Sequence, residues 1–157
     1  MRDETIGRVF LFADMLAAAR QGWPVKPSWL LVVDDDPRFG PMLEMACGRD
    51  DCRVEWKPNV AGSLKAIDDI PDEPPLAIIL DLFMPEADGI DMMRELAGRR
   101  SRTPLIIISG QDPNYLKVAQ EFAKVWSLPV LCTLRKPIDT NRLQACLVQL
   151  RDPPSSA

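Results

Sequence analysis

Apolar residues fall along the chain in short runs separated by amphipathic stretches. Trp29–Val33, Val54–Trp56, Leu76–Leu80, Leu105–Ile108 and Val130–Leu134 are brief and bounded by turn-forming residues, which predicts five strands. Helical spacing occupies the intervals, at Pro41–Gly48, Val60–Ile70, Ile90–Gly98 and Tyr115–Trp126, and a fifth helix at Asn141–Leu150 closes the alternation. The third and fourth runs, LAIIL and LIII, are apolar throughout, as expected of parallel strands covered by helices on both faces. The predicted architecture is therefore α/β, a doubly wound five-stranded parallel sheet. An additional helix is expected over residues 1–22, with Thr5 as cap, Ile6, Val9, Phe10, Ala13 and Leu16 as its stripe, and Gly22 at its end. Pro24 and Pro27 mark a linker, so the reading divides the chain into an extension at 1–28, a domain at 29–150 and a loose Pro/Ser-rich tail at 151–157.

Composition narrows the function. The chain has 157 residues, 46% apolar and 27% charged, which suits one folded domain with a core. A net charge of −4 gives no reason to expect nucleic acid as a direct partner. Asp3, Glu4 and Asp14 spoil any secretory signal, and no run of roughly 18 apolar residues could span a bilayer. A cytoplasmic protein with no membrane contact is expected. The cysteines at 47, 52, 132 and 146 have neither CxxC spacing nor a neighbouring histidine, so reduced, mostly buried thiols are expected. Histidine is absent altogether, so phosphate chemistry, if any, falls to carboxylates.

Polar residues at the carboxyl ends of strands matter most in such a sheet, because ligands bind there. The first strand runs into Asp34, Asp35 and Asp36, the third into Asp81, the fourth into Ser109 and the fifth into Lys136-Pro137. Carboxylates gathered together repel unless a cation sits among them, and hard oxygen donors suit magnesium, which leaves positions for phosphate oxygens. Asp81 is then the natural nucleophile, forming an acyl phosphate while the metal, Lys136 and Ser109 neutralise the equatorial oxygens. Asp36 reads instead as a cap for the helix that begins near Pro37.

These signals together resemble the receiver domains of two-component response regulators, from about Trp29 to Leu150. LVVDD at 31–35 is similar to the family's first strand with its acidic pair, DLFMPEADG at 81–89 to its phosphoacceptor loop, and Ser109-Gly110 and Lys136-Pro137 to its two remaining signatures. The resemblance implies a flavodoxin-like sheet of order 2-1-3-4-5. It implies Asp35 as a direct magnesium ligand, Asp34 acting through metal-bound water, Phe83 through its backbone carbonyl, and Asp81 as both ligand and phosphoacceptor. Ser109 and Lys136 would hold the phosphoryl oxygens, and Phe83 and Gln111 stand at positions that tune dephosphorylation.

The implied function is a phosphorylation-dependent switch, not an enzyme acting on free substrates. It would receive a phosphoryl group from a sensor histidine kinase and pass its state on by protein contact or to a histidine phosphotransfer protein. A homodimer through the N-terminal helix, or through the face of the fourth and fifth helices, stands open beside intramolecular packing of that N-terminal helix. The receiver is expected to stand alone without an output domain.

The family usually places Tyr or Phe three residues before the lysine, where this chain has Thr133, so activation must be transmitted differently. The stretch 128–137 is more similar to receivers found beside cyclic-di-GMP phosphodiesterase domains. A pseudo-receiver scaffold that signals without phosphate is the alternative, although it would need none of Asp81, Ser109 and Lys136. A phosphatase of the haloacid-dehalogenase type expects a second Asp where Phe83 stands. Trp23, Trp29, Trp56 and Trp126 read as packing residues, and Arg99, Arg100 and Arg102 as a solvated loop.

Overall fold

The computed structural model describes residues 28–47, 52–85 and 88–150. The extension with its expected helix, Trp23, and the tail lie outside the described residues, and so does any dimer contact made by that helix. Ten elements alternate: β1 Ser28–Val33, α1 Phe39–Cys47, β2 Cys52–Lys57, α2 Val60–Asp69, β3 Ala77–Asp81, α3 Gly89–Gly98, β4 Leu105–Ser109, α4 Pro113–Val125, β5 Val130–Arg135 and α5 Thr140–Val148. All five strands are parallel, in the order β2-β1-β3-β4-β5.

Alternation along the strands divides the core in two. Leu31, Val33, Ile78, Leu80 and Ile107 face Met92, Met93 and Leu96 of α3 and Leu116 and Ala119 of α4. Leu30, Val32, Ile79, Ile106 and Ile108 face Phe39 and Leu43 of α1 and Leu143 and Leu147 of α5. Every residue of β3 and β4 is buried, as their unbroken apolar runs require. Burying a side chain of this size contributes roughly 1.5–3 kcal/mol, so these two central strands anchor the domain.

The helices begin where a short polar side chain can cap them. Asn59, Asp88, Asp112 and Asp139 each accept a backbone N–H from the first turn of the helix that follows. Pro113 at the start of α4 loses nothing by lacking an N–H, so this helix starts two residues before the Tyr115 expected from its spacing. The edge strand β2 extends to Cys52 and Lys57, beyond the three residues expected, because pairing with Ser28–Val33 continues past the apolar run.

The expectation of reduced thiols is corrected at two positions: Cys132 of β5 and Cys146 of α5 form a disulfide, with their Cα atoms 6.3 Å apart. The cause is a register shift between β4 and β5. Leu105 pairs with Val130 but Ile106 pairs with Cys132, so Leu131 is an extra residue and both Leu131 and Cys132 pack on the α1/α5 side. Cys146 lies beside Leu143 and Leu147 on the buried stripe of α5, within bridging distance.

Candidate functional site

The strand order brings the polar ends of β1, β3, β4 and β5 to one edge. Asp34 follows β1 and is fully buried; its Oδ1 accepts the Asp36 N–H at 2.9 Å, and the Trp56 indole donates to its backbone carbonyl at 2.8 Å. Asp81, the last residue of β3, is buried, and its Oδ1 accepts the Phe83 N–H at 3.1 Å. The Lys136 ammonium, just past β5, lies 2.7 Å from Asp34 Oδ2 and 3.2 Å from Asp81 Oδ2. It also sits over the Phe39 ring, 5.0 Å from the centroid.

Electrostatics at this edge are set by burial. Desolvation pushes the Asp81 carboxyl above its ordinary range, the Asp34 charge adds to this, and the Phe83 N–H and Lys136 oppose it. For Lys136, burial acts downward, but contacts with Asp34 and Asp81 outweigh it and hold the ammonium above its ordinary value. Asp36 stands apart from the cluster: Arg38 grips its carboxylate through both side-chain and backbone bonds and lowers its pKa to about 2.

Asp34, Asp35 and Asp81 each present a carboxylate oxygen within 4.8 Å of the others. Asp35 is solvent-exposed, so the cluster opens outward on that side. Asp34 Oδ2 is buried and ion-paired to Lys136, yet no donor among the described residues is aligned to hydrogen-bond it. Such an underused hard oxygen, on a residue clustered with two other carboxylates, fits a small divalent cation.

The remaining sequence-predicted residues are placed through the backbone. Ser109 is fully buried; its Oγ accepts the Gln111 N–H at 3.1 Å, and its carbonyl accepts the Lys136 N–H at 3.0 Å. Phe83 contributes its N–H to Asp81, while its ring is 46% exposed and meets Tyr115 of α4 edge-on at 5.3 Å. Gly89 closes the loop after β3: a Cβ there would lie 2.6 Å from the Asp81 carbonyl oxygen and 2.8 Å from Leu82 Cα. Thr133 is partly buried and pairs with Ile107.

Trp56 and Phe39 are the contributors that the sequence reading missed. Trp56, expected only to pack, donates through its indole to the Asp34 carbonyl, tying β2 to the residue that follows β1 across 22 positions of sequence. Of the expected basic loop, Arg99 pairs with Asp68. Trp29 and Trp126 do pack, the latter stacked on Phe122. No helix among the described residues is long and apolar enough to cross a membrane.

A family model described as the response regulator receiver domain matches residues 30–148. The acid tolerance regulatory protein ActR of Rhizobium meliloti (strain 1021) is 33% identical over 121 residues, covering 76% of this chain and 58% of ActR. The response regulator MprA of Mycobacterium tuberculosis (strain ATCC 25618 / H37Rv) is 30% identical over 90 residues, 57% of this chain and 38% of MprA. This chain thus spans between about two fifths and three fifths of the length of the curated relatives it matches, 58% of ActR and 38% of MprA. Among solved structures, a response regulator from Colwellia psychrerythraea superposes with a TM-score of 0.63 at 30% identity, covering 81% of this chain and 98% of that one.

Proposed function

We propose that this chain, which belongs to the response regulator receiver family, is a signalling switch set by transfer of a phosphoryl group onto Asp81 from a sensor histidine kinase. The receiver would occupy residues 29–150. The convergence of Lys136 on both Asp34 and Asp81, at the edge where β1, β3 and β5 end, is the observation that best supports the assignment.

In the proposed step an Asp81 carboxylate oxygen attacks phosphorus as the bond to the donor's histidine nitrogen breaks, leaving an acyl phosphate. Lys136, already 3.2 Å from that carboxylate, is positioned to hold a phosphoryl oxygen in place of its contact with Asp81. The Ser109 hydroxyl accepts from Gln111 N–H, which leaves its own proton to donate toward a second oxygen. The Phe83 N–H holds Asp81 Oδ1 and so fixes which way the carboxylate faces.

Asp34, Asp35 and Asp81 would hold a magnesium ion, with the Phe83 carbonyl as a further oxygen donor. When bound there, magnesium supplies positive charge for the phosphoryl oxygens. Phe83 and Gln111, whose N–H groups bind Asp81 and Ser109, would border the approach to Asp81 and govern how readily water reaches the acyl phosphate.

The test compares wild type with Asp81→Asn after incubation with magnesium and acetyl phosphate, read by intact mass. One added phosphoryl group on the wild type alone is expected. No gain on either protein, under conditions where another receiver is labelled, would overturn the assignment.

A further inference from the structure

The Cys132–Cys146 bond encloses the segment that carries Lys136, and nothing in receiver chemistry requires it. We propose that Cys132 and Cys146 form a reversible thiol–disulfide modification site, reduced by a dithiol, whose state sets how firmly the Lys136 segment is held. The bond joins β5 to α5 across a sequence separation of 14 residues. Between the two sulfurs lie the end of β5 with Leu134 and Arg135, the connection at 136–139 with Lys136, Pro137 and the Asp139 cap, and the first turns of α5. Apart from the bond, the middle of this connection is held by the Lys136 N–H on the Ser109 carbonyl and by the ammonium contacts with Asp34 and Asp81. A cross-link of this span restricts the open chain far more than the folded one, so its loss makes opening of the segment it closes more favourable.

The two sulfurs differ in access. β5 is an edge strand whose first four residues, Cys132 among them, are only partly buried, whereas Cys146 is 6% exposed. Exchange therefore begins at Cys132. A thiolate of the dithiol attacks Cys132 Sγ, the protein S–S bond breaks, and Cys146 leaves as a thiolate that takes a proton. The second thiol of the reductant then closes its own disulfide and releases Cys132. Two electrons and two protons pass to the protein, and one dithiol becomes a disulfide. A small disulfide such as oxidised glutathione reverses both steps. Cys132 pairs with Ile106 and Cys146 packs in the α1/α5 core, so the modification acts on Lys136 through the backbone. Its bearing on phosphoryl transfer rests on the Asp81 assignment, but the measurements below do not, so the two readings can fail separately.

The full chain is equilibrated with dithiothreitol or oxidised glutathione, quenched in acid, alkylated under denaturing conditions and mapped by peptide mass. Cys132 and Cys146 are expected to be blocked together after oxidised glutathione and alkylated together after reduction. Reduction should lower Tm by roughly 6–12 °C and speed exchange of the Lys136 amide about tenfold or more. Cys132→Ser and Cys146→Ser should show the lower Tm with or without reductant. Alkylation of both cysteines after treatment with oxidised glutathione would overturn the proposal. So would a wild-type protein whose Tm and Lys136 exchange are unchanged by reduction.

Discussion

Gly89→Ala tests whether the loop after β3 is held by backbone contact or merely by its helix cap. The added Cβ would stand 2.6 Å from the Asp81 carbonyl oxygen, 2.8 Å from Leu82 Cα and 3.1 Å from Leu82 Cδ2, where ordinary contact begins at 3.4 Å. Two of the three atoms are main chain and cannot swing aside, so the start of α3 or the end of β3 must move by about 0.6–0.8 Å. Overpacking of this kind costs about 1–3 kcal/mol, and alanine's better helix propensity returns about 1 kcal/mol of it. The net loss expected is up to about 2 kcal/mol, about 1 kcal/mol at the middle of the range.

Gly98→Ala supplies the control. Gly98 ends the same helix, is exposed and has nothing within 4 Å of its would-be Cβ. That substitution should be neutral or stabilising, by up to about 1 kcal/mol. Urea unfolding followed by far-UV circular dichroism should therefore separate the two midpoints by about 1 M, given a slope of ~1–3 kcal/mol/M. Because the displaced atom belongs to Asp81 itself, Gly89→Ala should also slow labelling by acetyl phosphate, by up to about 10²-fold for a shift approaching 1 Å. Coincident midpoints for the two variants would refute the claim that main-chain contact requires glycine at 89.

Two further outcomes follow from the acidic edge. Asp81 carries a folded-state pKa above its ordinary 3.8, so without divalent cation the folded protein keeps a proton that the unfolded chain has lost, and stability falls as pH rises from about 3.8 through the folded value. Urea midpoints of wild type and Asp81→Asn, compared across that range, should diverge in favour of Asn; a constant difference would refute the assignment. Trp56→Phe removes the indole N–H from the Asp34 carbonyl and should cost about 1–3 kcal/mol by the same assay. A loss no larger than that of an exposed substitution would show that the bond does not hold Asp34.

The fold was legible where burial is complete. β3 and β4 are buried on both faces, so every position before their polar last residues, Asp81 and Ser109, had to be apolar and the runs stood out in the sequence. β2 lies at an edge with mixed burial, and its polar ends Cys52, Arg53 and Lys57 gave no apolar signal although they pair with β1. The acidic cluster was legible for another reason: Asp34, Asp81, Ser109 and Lys136 each stand at or just past a strand end, and a parallel sheet sends all such ends one way. What the sequence hid depends on side-chain direction. The reach of Trp56 to Asp34 and of Lys136 to Phe39 joins separate elements. The Cys132–Cys146 pairing depends on one extra residue, Leu131, whose effect on facing has no compositional mark.

That extra residue also governs what the sheet can do at its outer margin. Among the described residues β5 presents a row of main-chain donors and acceptors with no strand beyond it, the usual template for joining sheets edge to edge. Leu131 breaks the even spacing of that row, and Pro129 and Pro137 stand on either side of the strand without N–H groups to offer. A strand of regular pitch laid against β5 would match its partners on one side of Leu131 and miss them on the other. Among the described residues the sheet thus ends at a strand whose irregular ladder disfavours extension, so a copy or partner approaching from this side is expected to meet side chains instead.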